Sequence, residues 1–353
     1  MRAFCFPGQV GMKRFPQKWC LLLALLLVGC ERQPAVYQLA GATMGTTWSV
    51  TVLEPVDAAP DGTSLQKGVE TILESVNASM STYLDDSEIS RFNRSAPNQW
   101  FGISSEFYQV LSAALSVGRE SGGAYDITVG PLVNLWGFGP RGSELEPPAS
   151  EAIAEVLERV GQGKLRIDAE QYAVLKQADV YLDLSSIAKG FAVDRIAHWL
   201  AEQGITDYLV EVGGEMRVAG RSPRGDAWRV AIERPDAQRF AIAEALQLSD
   251  AAIATSGDYR NFFEFEGKRY SHSIDPRTGY PVAHELVSVT VVHASAMLAD
   301  AWATALLVMG ADAAMSVARD RGLAVYLIAR DGDSFLSRHS ADFAPLLDSP
   351  PEP

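Results

Sequence analysis

The chain has 353 residues, of which 47% are hydrophobic and 21% charged, a composition typical of a globular protein with a sizeable core. Its formal net charge is -14, and the first 29 residues carry basic but no acidic side chains, so the remainder is more acidic still. This charge excludes the electrostatic attraction to nucleic acid that a basic surface provides. An anionic ligand would therefore need local groups, such as a metal ion or backbone N–H groups.

The N-terminal segment predicts export and lipid anchoring. An unbroken apolar run from Trp19 to Val28 is too short to cross a bilayer but suits a signal peptide. It ends in Leu-Val-Gly-Cys, which looks like a lipobox, so we expect residues 1–29 to be cleaved and Cys30 to be diacylated. Residues 30–36 would form the lipid anchor and tether, on the periplasmic side of a bacterial membrane, inner or outer. The alternative is an ordinary secretory signal with an incidental cysteine.

All three cysteines, Cys5, Cys20 and Cys30, lie within this N-terminal segment. The part that remains after cleavage therefore has no disulfide and no thiol nucleophile. Cysteine-based catalysis is excluded for it.

Apolar periodicity predicts helices and strands that do not alternate regularly. Helices are expected at 65–80, 105–117, 150–160, 187–202, 296–309 and 311–319. Strands are expected in two runs between 36 and 52, and at 180–184, 208–212, 229–232, 243–248, 252–255, 262–265, 270–274, 286–292 and 323–328. This order predicts an α+β fold with a mainly antiparallel sheet and flanking helices, with a lobe boundary in the Pro- and Gly-rich loop 140–150.

The first two polar segments suit a ligand with a flat ring and a phosphate. Residues 123–139 combine glycines, which allow close backbone approach, with the rings of Tyr125, Trp136 and Phe138. An irregular loop plugged by aromatic side chains would have the same composition. Residues 183–192 place Asp183 at the end of a predicted strand and two serines before a helix, where N–H groups favour phosphate and Lys189 adds charge. The alternative is an ordinary N-cap and a dipole-stabilising aspartate.

The third and fourth segments carry groups suited to a base and a metal ion. Residues 271–281 run from a strand into a Pro/Gly turn and contain His272, which is either a catalytic group or a satisfied structural histidine. Asp300 and Thr304 are four residues apart in a predicted helix, so both oxygens share one face. Such hard oxygen ligands suit magnesium rather than zinc. Alternatively, Asp300 favours the helix dipole and Thr304 bonds back to its own helix.

Together with motifs at 44–48, 80–83, 87–93, 210–215 and 255–259, the four segments follow the order seen in a known family. The chain resembles the ApbE-type FAD:protein FMN transferases over roughly residues 37–330, with no departure at a motif position. The resemblance implies a two-lobed single unit over residues 37–340, followed by a tail at 341–353.

The resemblance also implies site residues and their roles. The FAD site would be lined by Met44, Tyr83, Ala124, Tyr125 and Asp126, with Tyr83 stacking on the ligand, and Asp183, Lys189 and Ile274 would contact the nucleotide. Magnesium would be held by Ser186, Asp300, Thr304 and the carbonyl of Ala303, with His272 close to the phosphoryl centre.

The implied reaction is a magnesium-dependent transfer of FMN from FAD to a threonine or serine hydroxyl of an acceptor protein, with release of AMP. The family's usual acceptors are subunits of respiratory ion-pumping complexes. The alternatives are an FAD pyrophosphatase, in which water replaces the acceptor and yields FMN and AMP, and a non-catalytic flavin-binding lipoprotein. The expected metal ligands and His272 argue against a pure carrier.

Overall fold

The structure is a computed structural model that describes residues 35–53, 60–139, 146–235, 241–259 and 261–347. These residues belong to one compact unit that begins at Ala35. The predicted signal peptide, Cys30 and residues 348–353 of the predicted tail lie outside the described residues. Within the described ranges, no helix is long and apolar enough to cross a membrane.

The predicted α+β class is confirmed. The strands are β1 Val36–Thr43, β2 Thr46–Leu53, β3 Trp100–Gly102, β4 Leu165–Asp168, β5 Ala173–Lys176, β6 Tyr208–Val212, β7 Glu215–Ala219, β8 Trp228–Glu233, β9 Ile242–Leu248, β10 Ala251–Gly257, β11 Phe262–Phe265, β12 Lys268–Ser271, β13 Leu286–His293, β14 Ala324–Asp331 and β15 Ser334–His339. The helices are α1 Gly62–Met80, α2 Glu88–Arg94, α3 Ser105–Glu120, α4 Gly130–Leu135, α5 Ser150–Leu157, α6 Ala188–Glu202, α7 Ala296–Met309 and α8 Ala311–Arg321.

An eight-stranded sheet, in the order β1-β2-β6-β7-β10-β13-β14-β15, forms the centre, and each neighbouring pair is antiparallel. Both of its faces are covered, as β13 illustrates. Val291 packs in the core formed with α1, α3, α6 and α7, whereas the adjacent Val292 packs against the β8–β9 hairpin. Successive strand residues point to opposite faces, so a continuous apolar run fits a strand that is buried on both sides.

A third apolar cluster fixes a hairpin that lies outside the central sheet. Strands β11 and β12 pair only with each other among the described residues. Phe263 of this hairpin packs with Trp136 after α4 and Ile153 of α5. These contacts cross the predicted lobe boundary at 140–150, of which residues 140–145 lie outside the described residues. The hairpin places residues 272–276 beside the cavity described below.

The predicted strand at 180–184 is wrong. The segment belongs to no sheet, and the side chain of Asn93 binds both backbone groups of Leu182, accepting from its N at 2.7 Å and donating to its O at 2.9 Å. Asp183 N donates to the carbonyl of Ile127 at 2.8 Å. Buried Val180 and Leu184 produced the apolar pattern, but a side chain and a loop carbonyl satisfy the backbone.

Two further local predictions are corrected. Neither Ser185 nor Ser186 caps α6, because Ile187 is the N-cap residue and makes no side-chain capping bond. The predicted strand 270–274 ends at Ser271, and Ile274 forms only an isolated bridge to Pro281. The chain also stays packed beyond residue 340, since Phe343 is fully buried.

Candidate functional site

A cavity of about 600 Å³ opens where the start of α6, the β6–β7 turn, β8, the end of β10 and α7 meet. Eleven of the thirteen predicted site residues within the described part of the chain line it: Tyr83, Ala124, Tyr125, Asp126, Asp183, Ser186, Lys189, His272, Ile274, Asp300 and Thr304. Tyr83 is 72% exposed, which leaves its ring free to meet a ligand. Segments separated by up to about two hundred residues thus contribute to one cavity.

Two predicted residues do not line the cavity. Met44 forms the β1–β2 turn with Gly45, and both have positive φ angles, 49° and 71°. Ala303 is fully buried in the middle of α7, where a carbonyl is normally bonded to the amide four residues on. The roles predicted for these two residues stay predictions.

Close packing of α6 on α7 places the charged centre of the site. A Cβ atom on Gly190 would lie 2.2 Å from the carbonyl oxygen of Ala296, so only glycine allows this approach. Gly190 N donates to Asp300 Oδ2 at 3.1 Å. The neighbouring residue of α6, Lys189, therefore lies beside Asp300, with 3.8 Å between Nζ and Oδ2.

Glu215, the first residue of β7, completes this centre. Its Oε1 lies 3.2 Å from Lys189 Nζ, and its side chain is only 5% exposed. The turn residue Gly213 has a φ of 62°, and a Cβ there would lie 2.8 Å from Thr46 and 3.1 Å from the Lys189 side chain. The turn must therefore carry glycine to let Lys189 reach Glu215.

The three charges perturb one another strongly. Burial raises the pKa of Asp300 because it disfavours the ionised carboxylate, and Lys189 offsets part of this effect. Burial also raises the pKa of Glu215 to about 8, opposed by Lys189 and reinforced by Asp300. For Lys189, burial lowers the pKa, but the two carboxylates outweigh it and the pKa is raised overall. Lys189 therefore stays charged at neutral pH. Its single positive charge does not fully offset the burial of the two acids, whose pKa values remain raised.

Hydroxyl groups surround this centre. Thr304 Oγ1 lies 3.0 Å from Ser256 Oγ of β10, which fixes the α7 side chain against the sheet. Ser186 Oγ donates to the Tyr125 hydroxyl at 3.1 Å. Burial raises the pKa of Tyr125, although the bond from Ser186 opposes this, so the phenol stays protonated.

Asp126 and Asp183 are already engaged with the chain. Asp126 Oδ1 accepts from the N and Oγ1 of Thr128 at 2.8 and 2.6 Å, and Oδ2 accepts from Gln162 N at 2.8 Å. Asp183 Oδ1 accepts from Ser185 N at 2.9 Å. Both carboxylates therefore shape loops at the cavity wall, and their contacts with a nucleotide stay predictions.

His272 is a neutral imidazole, and one of its ring nitrogens is hydrogen-bonded to the backbone. Its backbone N and its ring Nδ1 lie 3.1 and 3.0 Å from the same carbonyl oxygen, that of Asn261. Because a carbonyl only accepts, Nδ1 carries the proton and Nε2 keeps its lone pair. Burial lowers the pKa of His272, which the Asn261 bond and Asp258 oppose and Lys189 reinforces. The residue can therefore accept a proton at neutral pH.

The donor set fits a magnesium ion bound together with a substrate. The described residues contain no group of three or more His, Cys, Asp and Glu side chains that could hold a metal alone. Magnesium, however, usually uses one or two carboxylates plus substrate phosphates and water. Asp300, Thr304 and Ser186 offer hard oxygens to the cavity, and Glu215 Oε2 is buried without a hydrogen-bond partner among the described residues. A divalent cation would satisfy this surplus of acceptor oxygens.

Sequence analysis assigned no role to Glu215 or Ser256, although both lie within recognised motifs. The available signal for Glu215 was a carboxylate directly after a Gly-Gly turn at the end of a buried strand. Its partner Lys189 is supplied by a different element, which the pattern of a single strand does not predict.

Known proteins resemble the chain closely. The model of the ApbE family matches residues 44–327. The FAD:protein FMN transferase of Haemophilus influenzae is 43% identical over 332 residues, which is 93% of this chain and 96% of the relative. The flavin transferase ApbE from Vibrio cholerae has a TM-score of 0.83 at 41% identity, covering 89% of this chain and 100% of that chain. The apo flavinyl transferase ApbE of Pseudomonas stutzeri also scores 0.83, at 36% identity, covering 91% and 99%.

Proposed function

The chain belongs to the ApbE family and is an FAD:protein FMN transferase, and we propose that it uses magnesium to transfer FMN from FAD to a threonine or serine hydroxyl, releasing AMP. One observation carries the proposal. The cavity brings together a charged lysine, a neutral histidine with a free lone pair and the hard oxygens of Asp300 and Thr304. Charge neutralisation, proton acceptance and metal binding are the three requirements of phosphoryl transfer.

FAD would bind along the cavity wall. We assign the exposed ring of Tyr83 and the backbone near Ala124 to the flavin nucleotide, and Ile274 to an apolar contact with it. Lys189, which stays protonated, would pair with the pyrophosphate and neutralise part of its charge.

Ser186, Asp300 and Thr304 would hold the magnesium ion. When bound, the ion neutralises negative charge on the phosphates and on the departing AMP. The chain's own contribution is to keep Asp300 in place through the bond from Gly190 and Thr304 in place through Ser256.

His272 would take the proton of the acceptor hydroxyl at Nε2. The acceptor oxygen then forms a bond to the phosphorus of the FMN half of FAD, and the bond from that phosphorus to the bridging oxygen breaks. The bridging oxygen leaves with AMP, and the flavin remains on the acceptor as a phosphoester. General-base assistance of this kind contributes about 10²–10⁴-fold to the rate.

We further propose that the protein acts at a membrane. Cleavage before Cys30 and diacylation of its thiol would anchor it on the periplasmic side, and the acceptor would be a subunit of a respiratory ion-pumping complex. A Cys30→Ala variant should remain an uncleaved precursor that takes up no labelled palmitate. Unchanged labelling would contradict the anchor.

A defined acceptor tests the transferase. The purified chain, FAD and magnesium are incubated with a threonine-bearing acceptor fragment and, as the matched control, with its threonine-to-valine variant. We expect flavin fluorescence on the threonine acceptor in a denaturing gel, a mass gain of FMN less water, and one AMP per flavin attached. EDTA should stop the reaction.

Valine cannot attack phosphorus, so its fragment should remain unlabelled. Fluorescence on the valine fragment would contradict the proposed ester. Release of FMN and AMP at the same rate without acceptor would instead identify the chain as an FAD pyrophosphatase.

A further inference from the structure

The proposed base comes at the end of the β11–β12 hairpin, which lies outside the central sheet, so contacts other than the ladder of that sheet orient it. His272 follows β12 directly, and both of its bonds go to the carbonyl of Asn261. Asn261 belongs to the connection between β10, which ends at Gly257, and β11, which begins at Phe262. Whatever fixes this connection also fixes the imidazole.

Arg269 of β12 contacts both ends of that connection. Its Nη2 donates to the backbone carbonyl of Asp258 at 2.6 Å, and its guanidinium carbon lies 3.9 Å from the centre of the Phe262 ring. The same Nη2 lies 3.8 Å from Asp258 Oδ1, so a carboxylate also faces the guanidinium. A planar guanidinium suits this combination of stacking and directed hydrogen bonding, which an ammonium does not reproduce.

The far end of this chain of contacts is anchored in the central sheet. Asp258 N donates to the carbonyl of Val287 in β13 at 3.1 Å, and the Asp258 side chain is largely buried. Arg269 therefore links Asp258, which is bonded to β13, to Phe262. These two residues lie on either side of Asn261 in the chain.

We propose that Arg269 is a positioning residue for His272: it fixes the Asn261 carbonyl, which holds Nδ1 protonated and directs the Nε2 lone pair to the acceptor hydroxyl. The inference rests on the proposed role of His272 as the base. Removing Arg269 would let the carbonyl move, so the imidazole would spend less time in the productive tautomer and orientation. Groups that orient a metal-ligating histidine typically contribute about 10–100-fold, and we expect an effect of the same size for a group that orients this base.

The test compares Arg269→Gln with Arg277→Gln. Arg277 is the matched control because it lies in the same segment and also pairs with a carboxylate, with 2.8 Å between its Nη2 and Asp275 Oδ2. Its contacts in the described part of the chain do not include residues 258–262. We expect Arg269→Gln to lower single-turnover FMN transfer at saturating FAD by about 10–100-fold. The dissociation constant for FAD should change by less than about threefold, and Arg269→Lys should restore only part of the rate.

A double-mutant cycle separates this inference from the proposed function. If Arg269 acts through the imidazole, Arg269→Gln should cost nothing further in a His272→Gln background. An equal loss in both backgrounds, or full activity of Arg269→Gln, would overturn the positioning role. Full activity of His272→Gln alone would overturn the base instead. Should Arg269→Gln fail to fold, Phe262→Leu removes the stacking surface and is expected to show the same split between rate and FAD binding.

Discussion

Two carboxylates near the start of helix α7 are used in opposite ways: Asp194 of α6 and Asp300 of α7 itself. At the N-terminus of α7, the side chain of Asp194 from α6 accepts hydrogen bonds from Ser295 Oγ at 2.6 Å and from the backbone N of Ala296 and Met297, both at 3.0 Å, and it pairs with Arg217. One turn further on, Asp300 accepts one hydrogen bond among the described residues, from Gly190.

The difference separates a structural acid from a functional one. A carboxylate with four partners, two of them backbone amides of a first helical turn that have no partner within the helix, stabilises the helix and has little capacity for further bonds. A buried carboxylate with a single bond and a raised pKa is costly for folding, and it keeps its oxygens available for a ligand. Matched aspartate-to-asparagine changes can test this contrast.

The largest effect is expected for Asp300→Asn. The amide still accepts from Gly190 but is a weak magnesium ligand, so FMN transfer should fall on the order of 10³-fold, equivalent to several kcal/mol in the barrier. High magnesium should restore part of it. The free energy of unfolding of the metal-free protein should change by less than about 1 kcal/mol, because the removed charge was disfavoured in the fold. Full activity in the variant and in EDTA-treated wild type would show the metal site to be wrong.

Asp194→Asn should show the reverse pattern. Loss of a charged acceptor at the start of α7 should lower the free energy of unfolding by roughly 2–3 kcal/mol, measured by urea titration. Transfer per folded molecule should remain within about threefold of wild type. A loss of transfer as large as that of Asp300→Asn, at unchanged stability, would remove the distinction between the two acids.

Sequence analysis predicted one side of this contrast. The spacing of Asp300 and Thr304 predicts that the two side chains share one helical face, since it depends only on the 3.6-residue period, and both line the cavity. Asp194 drew no attention, because its partners at the start of α7 lie 101–103 residues further along the chain. Local periodicity carries no information on such pairs.

The failed strand at 180–184 has the same cause. Apolar residues there are buried as expected, but a buried segment can satisfy its backbone through any donor and acceptor, and Asn93 supplies both from 89 residues away. The contact between Lys189 and Glu215 likewise depends on how α6 meets the β6–β7 turn. The sequence thus predicts elements and faces, whereas long-range polar pairs require the fold.

A smaller effect is expected for Glu215→Gln. This variant tests whether a buried carboxylate that lacks a hydrogen-bond partner for one oxygen among the described residues lowers the stability of the fold. Burial raises the Glu215 pKa from 4.5 to about 8, so between these values the folded state binds more protons than the unfolded state. The stability of the metal-free protein should therefore fall as pH rises from 4.5 towards 8. Glu215→Gln should reduce this slope by up to about 1.4 kcal/mol per pH unit, measured by urea titration at several pH values. Identical slopes in the two proteins would contradict the perturbed carboxylate.

The smallest effect concerns two histidines that repeat the contrast between the structural acid Asp194 and the functional acid Asp300. His293 lies beside Ser295, as Asp194 does, and its Nδ1 accepts from Ser295 N at 3.0 Å, so its lone pair is used to hold the start of α7. His272 lies at the cavity, and its Nδ1 donates instead, so the lone pair of Nε2 is left for chemistry. Burial lowers the pKa of both rings, but only His272 is expected to govern the reaction.

A base must be neutral to act, so FMN transfer should fall as pH drops through the pKa of His272. Because burial lowers this pKa below the ordinary 6.5, the acid limb of kcat/KM should have its midpoint below pH 6.5. Asp258 raises this pKa, so Asp258→Asn should move the midpoint lower still, by a fraction of a pH unit. His293→Gln should leave the midpoint in place, whereas His272→Gln should remove the limb. A midpoint at or above 6.5, or one that moves with His293, would assign the proton transfer to another group.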